Sequence, residues 1–265
     1  MATSARRCFA HARLVLTSIA FAGGCVGAVE SPSADRTDNA TSSAATVGGV
    51  DQAHGTCAEL PPGISGSPST IAQTVGLVNA LLAARPPSLS LACFVQRLDR
   101  PLVTLGVQST FSLQPADGPR SPRVFIFSGT LVMSVAAGGS ASDRLELAEY
   151  PSPLRSIKAE IAFPVNAPVP LAEPYDRIRL GDGTTCGVCH RDERPAPEVS
   201  VTKAFESGVF NPRPQDVVPL PYMQDQAGAC DPAQEPFRCA LLNALFENGT
   251  VETGAFAPGA PTIFD

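Results

Sequence analysis

Residues 124–135 read Val-Phe-Ile-Phe-Ser-Gly-Thr-Leu-Val-Met-Ser-Val. Two apolar runs, Val124 to Phe127 and Leu131 to Val135, are broken by Ser128 and Gly129. Runs this short, rich in β-branched and aromatic residues and separated by a Ser-Gly turn, favour pleated backbone over helix. Toward the N-terminus, Val103, Leu105, Val107, Phe111 and Leu113 alternate with Thr104, Gly106, Gln108, Thr110 and Ser112. That is the period of a half-buried strand. Toward the C-terminus, Ile157, Ala159, Ile161 and Phe163 alternate with Lys158 and Glu160 in the same way. Several short strands with Pro, Gly and Ser turns predict an antiparallel sheet or small sandwich.

Upstream of the strands, Ile71, Val75, Val78 and Leu82 recur at helical spacing in residues 69–84, with Ser69 as a cap and Pro86-Pro87 as a stop. The helix and the strands together are expected to form a domain over residues 57–165. Pro164 to Pro174 is Pro-rich and reads as a semi-rigid connector. Residues 166–265 are then expected to form a small, loop-rich helical domain. In it, Val201 to Phe210 suggests a short helix, and Phe237 to Phe246 has helical apolar spacing ending at Asn248-Gly249. The expected fold class is α+β. The 26 Pro and 22 Gly, spread through nearly every apolar stretch, disfavour long helices and a doubly wound parallel sheet.

A net charge of −6 without a basic cluster argues against a nucleic-acid partner. There is no internal repeat, Walker sequence, Gly-rich dinucleotide loop or nucleophile elbow. The start of the chain carries a different message. Arg6, Arg7 and Arg13 precede the apolar stretch Leu14 to Ala22, which ends in Gly23-Gly24-Cys25. A basic start, a short apolar core and small residues describe a secretory signal over residues 1–24. The ending resembles the lipobox of bacterial lipoproteins, with Ala22 where that family usually has Leu. The resemblance implies lipidation at Cys25, a membrane partner through that anchor, and an address in the cell envelope, at the outer membrane or the periplasmic face. Residues 25–56, rich in Ser, Thr, Ala, Asp and Gly, read as a tether too polar to fold alone, with His54 at its edge.

Of eight cysteines, Cys8 lies in the signal and Cys25 at the anchor. The even number that remains invites pairing in an exported protein. The sequence-local choice pairs Cys57 with Cys93 and Cys230 with Cys239, leaving Cys186 and Cys189 as a third pair.

Cys186-Gly-Val-Cys189-His190 is the one chemically loaded string. It resembles the haem-attachment motif of c-type cytochromes, in which two thiols reach the porphyrin vinyl groups and the adjacent His ligates iron. The resemblance covers the motif and the C-terminal region only, and the helix that usually leads into the motif is missing. It implies one covalent haem c, with Cys186 and Cys189 as thioether residues and His190 as proximal ligand. It also offers Met223, in Pro219-Leu-Pro-Tyr-Met223, as a distal iron ligand, although Met223 reads equally well as a packing residue. Two non-haem readings of the string stay open: a structural or redox disulfide, and a zinc site shared with Cys230 and Cys239. The function expected from the motif is single-electron transfer to or from a redox partner protein, a carrier rather than a substrate-transforming enzyme. The alternative is a non-haem, disulfide-stapled surface lipoprotein acting as a binding or structural module.

Overall fold

Alternation along the strands settles which residues face each other. The computed structural model describes residues 57–84 and 87–264. The signal, Cys25, the tether with His54, and Pro86 lie outside them. Strands β1 (Leu102–Val107), β2 (Arg123–Ser128), β3 (Leu131–Ala136), β4 (Arg144–Ser152) and β5 (Arg155–Ala162) form an antiparallel meander. One face carries the rung Thr104, Ile126, Met133, Leu147 and Ala159. The other carries Leu105, Phe125, Ser134, Glu146 and Glu160, and beside it Val103, Phe127, Val132, Ala148 and Lys158.

The first face is the core. It packs against helices α1 (Ile71–Ala84) and α2 (Leu91–Gln96), and against two helices that come later in the chain. The helix predicted over residues 69–84 is α1, although its first turn is capped by Thr70, whose hydroxyl accepts the Gln73 N–H at 3.1 Å. Ser69 instead bonds the Gln73 side chain. Glu149 of β4 accepts the Ile71 N–H at 2.8 Å, a carboxylate set against the positive end of the helix.

The second half of the chain does not form a domain of its own. After α3 (Glu173–Arg177) and the β6–β7 ribbon (Arg179–Leu180, Gly183–Thr184), the chain adds strands to the same sheet. β9 (Phe205–Gly208) pairs with β5, and β8 (Arg194–Pro195) pairs with β9. β10 (Val217–Val218) and β11 (Val251–Thr253) both return to β1, the first antiparallel and the second parallel. The result is one nine-stranded, mostly antiparallel sheet, and the described residues belong to one compact unit. A separate helical C-terminal domain carrying the cysteine string, and a sandwich, are therefore corrected to one shared sheet. The helix expected over 201–210 is strand β9, whose Glu206, Ser207 and Gly208 pair with Ile157, Ser156 and Arg155 of β5.

Helices α4 (Leu220–Gly228) and α5 (Pro236–Phe246) close the core side. Pro221 sits in the first turn of α4, where a missing N–H costs nothing, so the Pro-flanked stretch is helix rather than loop. Arg100 donates to the carbonyls of Ala244 and Leu245 at 2.6 and 2.8 Å, satisfying acceptors at the end of α5. The cysteine pairs chosen from the sequence are bonded: Cys57 to Cys93, and Cys230 to Cys239. Cys186 and Cys189 are free, so the third pairing is corrected. Among the described residues, no helix is long and apolar enough to cross a membrane.

Candidate functional site

The second face of the sheet is also covered, but loosely. Chain segments 109–113, 185–190, 209–213 and 256–264 fold over it and leave a pocket of about 310 Å³. That volume falls at the lower end of small-molecule sites.

The floor is polar and cross-linked. Arg123 of β2 pairs with Glu146 of β4 across the intervening strand. On the way it donates to the Ser134 hydroxyl, from Nη2 at 2.8 Å and from Nε at 3.1 Å. Ser134 in turn donates to Gln114 at 3.0 Å, and Gln114 donates to the Arg144 carbonyl at 2.8 Å. Arg144 holds Glu160 at 3.2 Å, and burial pushes the Glu160 carboxyl up against that attraction. Lys158 stands one rung beyond Glu146 and Glu160 on the same face, opposite Ala148. Burial pushes it down to about 8, with Cys186 and Glu146 opposing the shift and Arg123 adding to it.

The wall is aromatic. Phe256 meets Phe125 and Phe127 edge-on at 5.0 and 5.1 Å, and Phe264 lies 5.5 Å from Phe111 with the Arg213 guanidinium 4.2 Å above it. Arg213 is itself bound to Asp216 at 2.7 Å.

The rim is the cysteine string. A short 3-10 turn, Thr185–Val188, is capped by the Thr184 hydroxyl, which accepts the Gly187 N–H at 3.3 Å. A Cβ added at Gly187 would lie 2.6 Å from the Glu193 carboxylate, which would have to move aside. The Cys186 carbonyl accepts from the N–H groups of Cys189 and His190, at 3.2 and 2.8 Å. This aims Cys186, Cys189 and His190 at the pocket while Val188 points out to solvent at 71% exposure. The His190 ring stacks on Phe210 at 5.1 Å, and its Nδ1 faces the Gly208 carbonyl at 2.8 Å. A carbonyl only accepts, so Nδ1 carries the proton. Burial, then Lys158, lowers His190 to about 3, leaving a neutral imidazole. Burial raises Cys186 to about 11, only partly offset by Lys158. A reactive cysteine needs a thiolate; burial holds Cys186 as a thiol.

The expected haem c is corrected. Among the described residues, no three His, Cys, Asp or Glu side chains come together in a way that could hold a metal ion. Four of the six body cysteines are taken up in disulfides, Cys230 and Cys239 among them, which also removes the four-cysteine zinc site. His190 and Met223 lie on opposite faces of the sheet. Met223 is 1% exposed in the helix-side core, where its sulfur fills the space over Gly106. It is a packing residue, and the structure does not bring it to the cysteine string.

Reading the sequence alone passed over Arg123, Glu146, Lys158 and Glu160, because charged residues alternating with core residues look like a solvated face. One signal was present: Lys158 is one of only two lysines in the chain, with Lys203, and it sits mid-strand. Compared with protein-family models, with curated proteins and with solved structures, the chain shows no match.

Proposed function

We propose that this chain is a non-haem binding module of the cell envelope, exported, anchored through Cys25 and stapled by its disulfides, whose ligand is a small molecule with an apolar body. The pocket on the second sheet face is its seat. The observation that carries this reading is the aromatic wall of Phe111, Phe125, Phe256 and Phe264 raised over a floor whose arginines and carboxylates are already paired. Apolar side chains around a few fixed polar groups are the usual make-up of a small-molecule site. The electron-carrier expectation depended on haem and falls with it. No activated thiolate supports chemistry on the ligand, because burial holds Cys186 as a thiol.

The test is uptake of the neutral, polarity-sensitive dye N-phenylnaphthylamine by the disulfide-bonded protein. Saturable fluorescence enhancement is expected, with a loss on the order of tenfold in affinity for Phe256→Ser, since burying an aromatic ring contributes roughly 1.5–3 kcal/mol. Enhancement that does not saturate, or that Phe256→Ser leaves unchanged, defeats the reading.

A further inference from the structure

One charge in the pocket has no counterpart. Each arginine on the floor and wall has its carboxylate: Arg123 with Glu146, Arg144 with Glu160, Arg213 with Asp216. Lys158 lines the same pocket, and among the described residues it has no ion pair and no hydrogen bond. The groups that face it are Glu146 from β4, already held by Arg123 from β2, together with Cys186 and His190 from the rim. Cys186 stays a neutral thiol and His190 a neutral imidazole, so neither supplies a negative charge. A cation in a site of low polarity costs several kcal/mol unless something pairs with it.

Building on the binding reading above, we propose that the ligand is an amphipathic monocarboxylate, its carboxylate paired with the Lys158 ammonium and its apolar body lying against Phe125 and Phe256. Charge balance selects this class. The three pairs cancel, one ammonium is left over, and one unit of negative charge neutralises it. A phosphate dianion would bring excess negative charge beside Glu146 and Glu160, and the arginine forks that hold phosphates well are already taken. A cationic ligand would find no free carboxylate among the lining residues.

The test measures displacement of bound N-phenylnaphthylamine by phenylbutanoate, by phenylbutanol and by phenylbutyl phosphate, near neutral pH. These share one apolar body and differ in the head group. The acid is expected to compete about 10-fold or more better than the alcohol, the ratio that a hydrogen bond to a charged group produces. Lys158→Met should still take up the dye and lose the acid's advantage, while Lys158→Arg keeps it. Lys158→Gln replaces Lys158→Met if the latter does not take up dye. Equal competition by acid and alcohol, an acid advantage that survives loss of the Lys158 charge, or tighter binding of the phosphate ester each overturns the proposal. All three leave the ligand seat standing. A wild-type protein that takes up no dye instead removes the seat, and the monocarboxylate with it.

Discussion

Glu193 clamps Thr184: its Oε1 accepts the Thr184 N–H at 2.8 Å and its Oε2 the Thr184 hydroxyl at 2.6 Å. The clamp fixes the residue that caps the cysteine turn. Glu193→Ala is expected to lower stability by about 1–3 kcal/mol through the two lost charged hydrogen bonds, measured by urea unfolding. Cys186 should also react several-fold faster with a maleimide. An unchanged labelling rate would show that the turn holds itself.

Close packing makes a second site brittle. A Cβ added at Gly106 would lie 2.2 Å from the sulfur of Met223, itself only 1% exposed. Gly106→Ala should cost about 1–3 kcal/mol by overpacking. Met223→Ala in the same chain should recover part of that loss, because the two residues share one space. Simple additivity in the double-mutant cycle would refute the contact.

The two disulfides should contribute unequally. They close segments of 36 and 9 residues, and loop-closure entropy gives about 4 kcal/mol for the longer and about 2.5 kcal/mol for the shorter. Replacing Cys57 and Cys93 by Ser should therefore lower the denaturation midpoint more than replacing Cys230 and Cys239. Equal losses would mean that residual structure in the unfolded chain, rather than loop length, sets the effect.

Alkaline stability should run in two opposed limbs. Lys158 falls from 10.5 to about 8 on folding, so between those values the unfolded chain binds more protons and stability rises with pH. Cys186 rises from 9.0 to about 11, so over that interval the unfolded chain loses its proton first and stability falls with pH. Between about pH 8 and 9 only the Lys158 limb acts of these two, and Lys158→Met should flatten it. Between about 9 and 10.5 the two slopes cancel, so Cys186→Ala should turn a plateau there into a continued rise. A rise that persists in Lys158→Met would place the titration elsewhere.

Much of the scaffold was legible in the residues themselves. The alternation at Val103 to Val107 and at Ile157 to Ile161 marked strands, and Ile71 to Leu82 marked a packed helix. The strand read through Phe111 and Leu113 stops at Val107; those two side chains are 59% and 52% exposed at the pocket's edge. Local pattern could not reveal that residues 205–218 and 251–253 complete the same sheet, because two-to-four-residue strands are set by tertiary pairing rather than propensity. The cysteine string drew attention to the right rim with the wrong chemistry. Its significance depends on what lies across from it, and the polar floor under Cys186 comes from strands up to 63 positions earlier in the chain, starting at Arg123.

Because β1 is flanked by both β10 and β11, the sheet acquires its border only from segments made well after its centre. A growing chain that stops short of residue 251 has a meander with a bare hydrogen-bonding margin beside Leu102 to Thr104 and no Phe256 to roof the pocket. That margin and the pocket close only once the last strand and Phe256 are in place.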